Sequence, residues 1–220
     1  MSSLVALHSM LVELHGGMLT LAAVCILATV VSRTHFRMRK SSDNYGIFWP
    51  ADSFVGKLAQ YAEPTAYVAA IGGVVGLITS AIVGFFVYPI DFITSNSLGL
   101  GKVAFSVFAT ELMIVFVFLR SRYGQNLWKN KGTATVYACV GLIGFLLMVQ
   151  AGSLGGHMAG KGSVLDPVYA LVGIDPINLG FSLSNVAIIT VCVSLVIIIV
   201  SMGAFMYFQR KTSIVNNTKT

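Results

Sequence analysis

Five long apolar stretches divide the chain, and each ends in charged, proline-containing or glycine-rich residues. They cover about Met10–Val31, Pro64–Tyr88, Val103–Leu119, Thr133–Gln150 and Asn185–Phe208. Each is about as long as the roughly 20 helical residues that cross a hydrocarbon core about 30 Å thick. Since the membrane interior offers the backbone no water, such stretches are expected to be helices. The pattern predicts one all-α domain over residues 1–220, a polytopic bundle of five transmembrane helices.

The composition agrees with lipid as the surrounding solvent. Of the 220 residues, 56% are hydrophobic and 10% are charged, with a mean hydropathy of +0.83. An average soluble domain carries about 25% charged residues. The net charge of +6 comes from short basic clusters beside apolar runs rather than from one polar face. This distribution favours the lipid bilayer, and not nucleic acid, as the partner.

The basic clusters alternate from one loop to the next. Twelve lysines and arginines fall in the first loop, the third loop and the C-terminal tail, against only Lys102 and Lys161 in the other two loops. Short loops rich in lysine and arginine stay on the cytoplasmic side. We therefore predict that the N-terminus lies outside the cytoplasm and the C-terminus inside.

Two loops are long enough to carry structure of their own. The cytoplasmic loop before the second span places apolar residues on one helical face, which predicts an interfacial helix over about residues 52–62. The outer loop, residues 153–184, contains Asp166–Pro167 and Asp175–Pro176. An aspartate before a proline is typical of a helix start, so two short helical turns are predicted there.

The second predicted span carries a small residue at every fourth position. These residues are Gly72, Gly76, Ser80 and Gly84. Such a stripe forms a groove in which another helix can approach closely. We predict that it is a helix-packing surface.

Three of the four histidines fall at one level of the membrane. Counting back about 20 residues from the cytoplasmic end of the first span places His8 among the outer headgroups and His15 just inside the apolar core. His157 follows the fourth span on the same side. A bis-histidine haem b or a copper ion requires neutral imidazoles from different helices at matched depth. His8 or His15 with His157 are thus the candidate haem or metal ligands, and solvated or hydrogen-bonded histidines are the alternative.

Glu111 lies near the middle of the third predicted span. It precedes Arg120 by nine residues, which is about 13 Å along a helix. Because a carboxylate is costly at this depth, proton transfer or ligand binding is one hypothesis. The other is a protonated carboxyl group bonded to a neighbouring hydroxyl such as Thr79 or Ser80.

Two segments resemble the motifs of a known family. The run from His8 to His15 resembles the histidine-rich start of the family's first helix. Residues 154–164, LGGHMAGKGSV, resemble its GGxLVYxHGV segment. Lys161 stands where the motif has its late histidine. The family is a widespread, uncharacterised group of small four-helix bacterial and archaeal membrane proteins. The resemblance covers roughly the first four spans. It implies a redox-linked protein that binds b-type haem in the plasma membrane of a prokaryote.

Three functions are open on the sequence alone. The first is an integral subunit of a redox or respiratory-type complex that passes electrons through one haem b or metal near the outer face. The second is a noncatalytic accessory subunit of a larger membrane enzyme, for example of the copper-monooxygenase or oxidase type, without a cofactor. The third is a proton pathway or small channel around Glu111. No motif typical of a hydrolase or a transporter occurs, and other membrane subunits are the expected partners.

Overall fold

The computed structural model describes residues 3–41 and 50–175, together with residues 191, 192, 194–196 and 199. Its helices are α1 (Ser3–Ser41), α2 (Pro50–Val87), α3 (Ile90–Ser95), α4 (Ser97–Tyr123), α5 (Lys131–Met158) and α6 (Asp166–Val172), with a 3₁₀ helix over Gly124–Trp128. The described residues contain no strand, which confirms the all-α class.

Four of these helices are long and apolar enough to cross a membrane. The qualifying stretches are Ser3–Phe36, Phe54–Val87, Ser97–Trp128 and Lys131–Met158. The first four predicted spans lie within them or reach one residue past their ends. The fifth, about Asn185–Phe208, falls mostly outside the described residues, and the six residues described within it are helical. Five spans and their orientation therefore stay predictions.

Two helices continue beyond the predicted ends of their spans. The predicted interfacial segment 52–62 is helical but is not a separate helix, because it forms the first part of α2, which continues through Pro64. Helix α5 likewise continues to Met158, into the segment predicted as the outer loop. Its glycines serve a close approach there rather than a break, because an added Cβ at Gly155 would lie 2.8 Å from the Lys102 Nζ atom.

The four long helices pack in up-and-down order. α1 packs along α2 and α4 packs along α5, while α1 also contacts α5 and α2 contacts α4. Short connections between neighbours favour this antiparallel arrangement. The starts of α1 and α4 and the ends of α2 and α5 therefore share one end of the bundle, which we call the N-terminal end; the other is the opposite end.

The middle of the bundle combines small residues with a few large apolar side chains. Leu19 and Ile26 of α1, Met113 and Phe116 of α4 and Tyr137 of α5 are all buried. Alanines of α2 fill the space beside them. The small side chains bring the helix axes close, so that dispersion contacts replace the hydrophobic force that is absent between helices in lipid.

The glycine stripe of α2 packs against α1. An added Cβ at Gly76 would lie 2.6 Å from the His15 Cβ atom, and one at Gly84 would lie 3.0 Å from the His8 Cε1 atom. The Met18 side chain fills the space at Gly72. Contact at Gly76 involves the first side-chain atom of His15, so neither helix can yield without a shift of its backbone.

Gly76→Ala should therefore destabilise the bundle. Overpacking of this kind costs about 1–3 kcal/mol, and we expect a lower unfolding midpoint in detergent micelles. Gly17→Ala is the matched control, because nothing lies within 4 Å of an added Cβ there. Equal midpoints for the two variants would contradict the close α1–α2 contact.

Candidate functional site

His8 of α1 is held by two residues of α2 and by Tyr88, which directly follows the end of α2. Its Nδ1 atom lies 3.0 Å from the Ser80 carbonyl oxygen, its ring covers Gly84, and it meets the Tyr88 ring edge to face at 5.8 Å. Because a carbonyl oxygen only accepts hydrogen bonds, Nδ1 carries the proton. Nε2 of the neutral ring then keeps its lone pair.

His15 lies two turns further along the same face of α1. It is 6% exposed, and its Nδ1 atom has no hydrogen-bond partner of good geometry among the described residues. The Leu11 carbonyl one turn earlier acts on the ring but does not complete a well-formed bond. His15 is thus a buried imidazole whose polar edge is not satisfied by the described part of the chain.

Lys102 of α4 completes a cluster at the N-terminal end. Its side chain is partly buried, and its ammonium nitrogen lies over Gly155 of α5. Lys102 lies at the level of His15, because each precedes an arginine of the opposite end, Arg120 and Arg33, by 18 residues. We call His8, His15 and Lys102 the His–Lys cluster; its histidines contact α2 and its lysine contacts α5.

His157 has a different environment. Its Nε2 atom lies 2.9 Å from Asp166 Oδ1, and Asp166 Oδ2 accepts the Ser163 backbone N–H at 2.8 Å. Between them the chain turns through Gly160 and Gly162, both at φ of 68°, a conformation that glycine adopts without strain. His157 therefore fastens the end of α5 to the start of α6.

Two of the predicted haem or metal ligands, His8 and His157, have different partners. His8 turns towards α2 and His157 towards α6, although both lie at the N-terminal end. Within the described ranges, no three histidine, cysteine, aspartate or glutamate side chains are placed to hold a metal ion. A bis-histidine haem needs two rings that face a common plane, and these contacts do not provide that pair.

Glu111 bonds to a different hydroxyl from those considered on the sequence. The Ser194 hydroxyl lies 3.1 Å from Glu111 Oε1 and 2.8 Å from the Val191 carbonyl oxygen, so its one proton is shared between two acceptors. Thr79 and Ser80 instead donate to carbonyl oxygens of their own helix, at 2.9 Å to Val75 and 3.0 Å to Leu77. Glu111 thus links α4 to a residue of the fifth predicted span.

The opposite end holds an ion pair that sequence reasoning missed. Arg120 Nε donates to Glu63 Oε1 and Arg120 Nη2 donates to Glu63 Oε2 at 2.9 Å, a bidentate pair between α4 and α2. Glu63 is 3% exposed. Arg120 also covers the Tyr67 ring at 5.6 Å, and the Tyr67 hydroxyl is bonded to Ser121 at 2.7 Å. Opposite charges at matching ends of two adjacent spans were the sequence signal for this pair.

An aromatic cluster lies at the same end of the bundle as this ion pair. Phe116 stacks on Tyr137 at 4.1 Å, Trp128 meets Tyr137 edge to face at 5.6 Å, and the Arg33 guanidinium lies 4.7 Å from the centre of the Trp128 ring. Cation–π contacts of this kind stabilise a guanidinium where water is scarce. Helices α1, α4 and α5 and the 3₁₀ helix are thereby joined.

Comparison with family models, with curated proteins and with solved structures gives no match.

Arg120→Met should destabilise the fold strongly, because it leaves the Glu63 carboxylate buried without its partner. Removal of one member of a buried pair costs about 3–5 kcal/mol, which a lower unfolding midpoint in micelles would report. Lys129→Met removes an exposed charge at the same end and should change the midpoint little. Similar losses in the two variants would contradict a stabilising role of the pair.

Proposed function

We propose that this protein is a noncatalytic integral subunit of a larger membrane enzyme complex, to which it contributes a bundle of membrane helices. The observation that supports this proposal most is that polar side chains inside the spans bond to neighbouring helices. They tie one helix to another instead of meeting around one reactive centre. Three contacts carry the argument: His8 with Ser80, Glu63 with Arg120, and Glu111 with Ser194.

Each of these contacts fixes a different pair of elements. The first joins α1 to α2, the second joins α2 to α4, and the third joins α4 to the residues described beyond 190. In an apolar surrounding a polar group that loses its partner gains no water in exchange. The contacts therefore set the rotation of each helix about its axis, which a subunit needs in order to present a fixed surface.

The outer faces of the bundle are apolar and broad. Large apolar side chains are exposed along α1 and α2, including Leu21 at 48%, Val24 at 57% and Val75 at 57%. Apolar surface of this extent on a long helix requires lipid or another membrane helix against it. A chain that presents mainly such faces is suited to assembly within the bilayer.

The electron-carrying subunit is the second candidate, and the His8 ring favours it. A histidine that binds a metal usually donates its other ring N–H to a carbonyl or carboxylate oxygen. His8 donates Nδ1–H to the Ser80 carbonyl and keeps the Nε2 lone pair for a ligand. His157 is not available as the second ligand in this conformation, because its Nε2 atom is bonded to Asp166.

The proposal is tested by isolating the tagged chain from its own membranes in a mild detergent. We expect it to migrate in a stable assembly well above its own 23.5 kDa, with other membrane proteins in fixed stoichiometry. Migration as the isolated chain under conditions that keep other membrane complexes intact would contradict it.

The same preparation separates the two candidates. The chain purified from dissociated subunits should show no reduced-minus-oxidised haem band and no stoichiometric metal. A band that is lost in His8→Ala but kept in His35→Ala would instead establish the electron-carrying subunit. His35 is a suitable control because it lies exposed towards the opposite end of α1.

A further inference from the structure

Lys102 is a partly buried cation of the N-terminal end that forms no ion pair with the described residues. It lies in the second turn of α4, beside the buried residues Leu100, Gly101 and Ala104. Its side chain turns to α5, where its ammonium nitrogen sits over Gly155. A lysine near a membrane surface usually extends its charge outwards to the water. Lys102 is instead held against a neighbouring helix.

The described carboxylates do not neutralise Lys102. Three of them are bonded to other residues: Glu63 to Arg120, Glu111 to Ser194, and Asp166 to His157 and Ser163. Residues 176–220 contain no aspartate or glutamate. Among the described side chains, no acid forms an ion pair with Lys102. A partly buried ammonium without a counter-ion is costly, which indicates a missing anion.

His15 supplies a second, independent indication of a ligand. It is 6% exposed, and its Nδ1 atom is buried without a well-formed hydrogen bond in the described part of the chain. His15 precedes Arg33 of the opposite end by 18 residues, as Lys102 precedes Arg120, so the two side chains lie at the same level of the bundle. An imidazole N–H and an ammonium group are both donors, and a group with several acceptor oxygens satisfies both at once.

The level of the cluster in the membrane identifies the class of anion. Lys102 precedes Arg120 of the opposite end by 18 residues, which is about 27 Å along α4. That length is close to the hydrocarbon thickness of about 30 Å, so Lys102 lies near the plane of the headgroups. Phosphate groups of lipids are the abundant oxyanions in that plane.

We propose that the His–Lys cluster binds a phosphate-type oxyanion, with Lys102 and His15 as donors to its oxygens. The glycine at position 155 leaves room for the ammonium group, because a Cβ there would lie 2.8 Å from Nζ. The phosphate is that of a phospholipid headgroup or a free phosphate ion. Bound at this place, it holds α1, α4 and α5 together at the N-terminal end.

The test follows the unfolding midpoint of the purified full chain by tryptophan fluorescence in maltoside micelles without phosphate. Three probes are added in turn: dioleoyl phosphatidylglycerol, dioleoylglycerol with the same chains but no phosphate, and sodium phosphate. A ligand that binds only the folded state raises the midpoint in a saturable manner. We expect this rise with phosphatidylglycerol and not with dioleoylglycerol.

Variants assign the rise to the cluster. Lys102→Met should weaken half-saturation by roughly tenfold or more, the effect of one lost charge-assisted hydrogen bond, whereas Lys102→Arg should retain most of the binding. Lys161→Met removes the other lysine predicted on this side, which is exposed, and should bind as the unaltered chain does. Gly155→Ala keeps the charge but crowds it, so it serves as the second variant if Lys102→Met does not fold.

The outcomes separate the sources of the phosphate and decide the proposal. A rise with phosphatidylglycerol alone supports a lipid headgroup, and a rise with sodium phosphate as well supports a site open to the free ion. No saturable rise with either probe overturns the proposal. It is also overturned if Lys102→Met and Gly155→Ala bind as the unaltered chain does, or if Lys161→Met weakens binding as much as Lys102→Met.

Discussion

A polar side chain inside a membrane-spanning helix has no water to bond, and this constraint organises the structure. The bidentate pair between Arg120 and Glu63 shows it most clearly, because both ends of the carboxylate are bonded and the group is almost wholly removed from the surface. Either charge would be costly if it were buried without the other. The pair thereby fixes α2 against α4, and the aromatic and cation–π contacts at the same end connect α4 to α1 and α5.

The two ends of the bundle meet the same constraint differently. At the opposite end the Arg120 charge is neutralised within the chain by Glu63. At the N-terminal end Lys102 and His15 provide donors for which the described residues supply no acid and no well-formed acceptor. The buried charge of the first end is therefore neutralised within the chain, although Trp128 Nε1 and the Tyr137 hydroxyl there have no partner among the described residues, while the second end offers donors to an anion.

Much of the fold could be predicted because the length and spacing of apolar residues are read directly along the chain. Four spans and the close-packing stripe at Gly76 follow from counting along the chain. The continuation of α5 to Met158 was not predictable in this way, since glycines that break a helix and glycines that admit a neighbour have the same spacing. Tertiary contact with Lys102 decides between them.

The candidate site was harder to predict because membrane depth says nothing about which way a side chain turns. His8 and His157 share a level, yet one bonds to α2 and the other to Asp166. Glu111 likewise bonds to Ser194, which is 83 residues away, rather than to a hydroxyl of the second span. Rotation about the helix axis settles each partner, and rotation is fixed by packing that no local pattern records.

A double-mutant cycle between Glu63 and Arg120 tests most directly whether polar pairs inside the spans hold the bundle together. Unfolding free energies in micelles are measured for Glu63→Gln, Arg120→Met and the combined variant. Our account predicts that the combined loss is smaller than the sum of the two single losses by more than about 1 kcal/mol, as for residues in direct contact. Losses that add to within about 0.5 kcal/mol, as for independent sites, would contradict it.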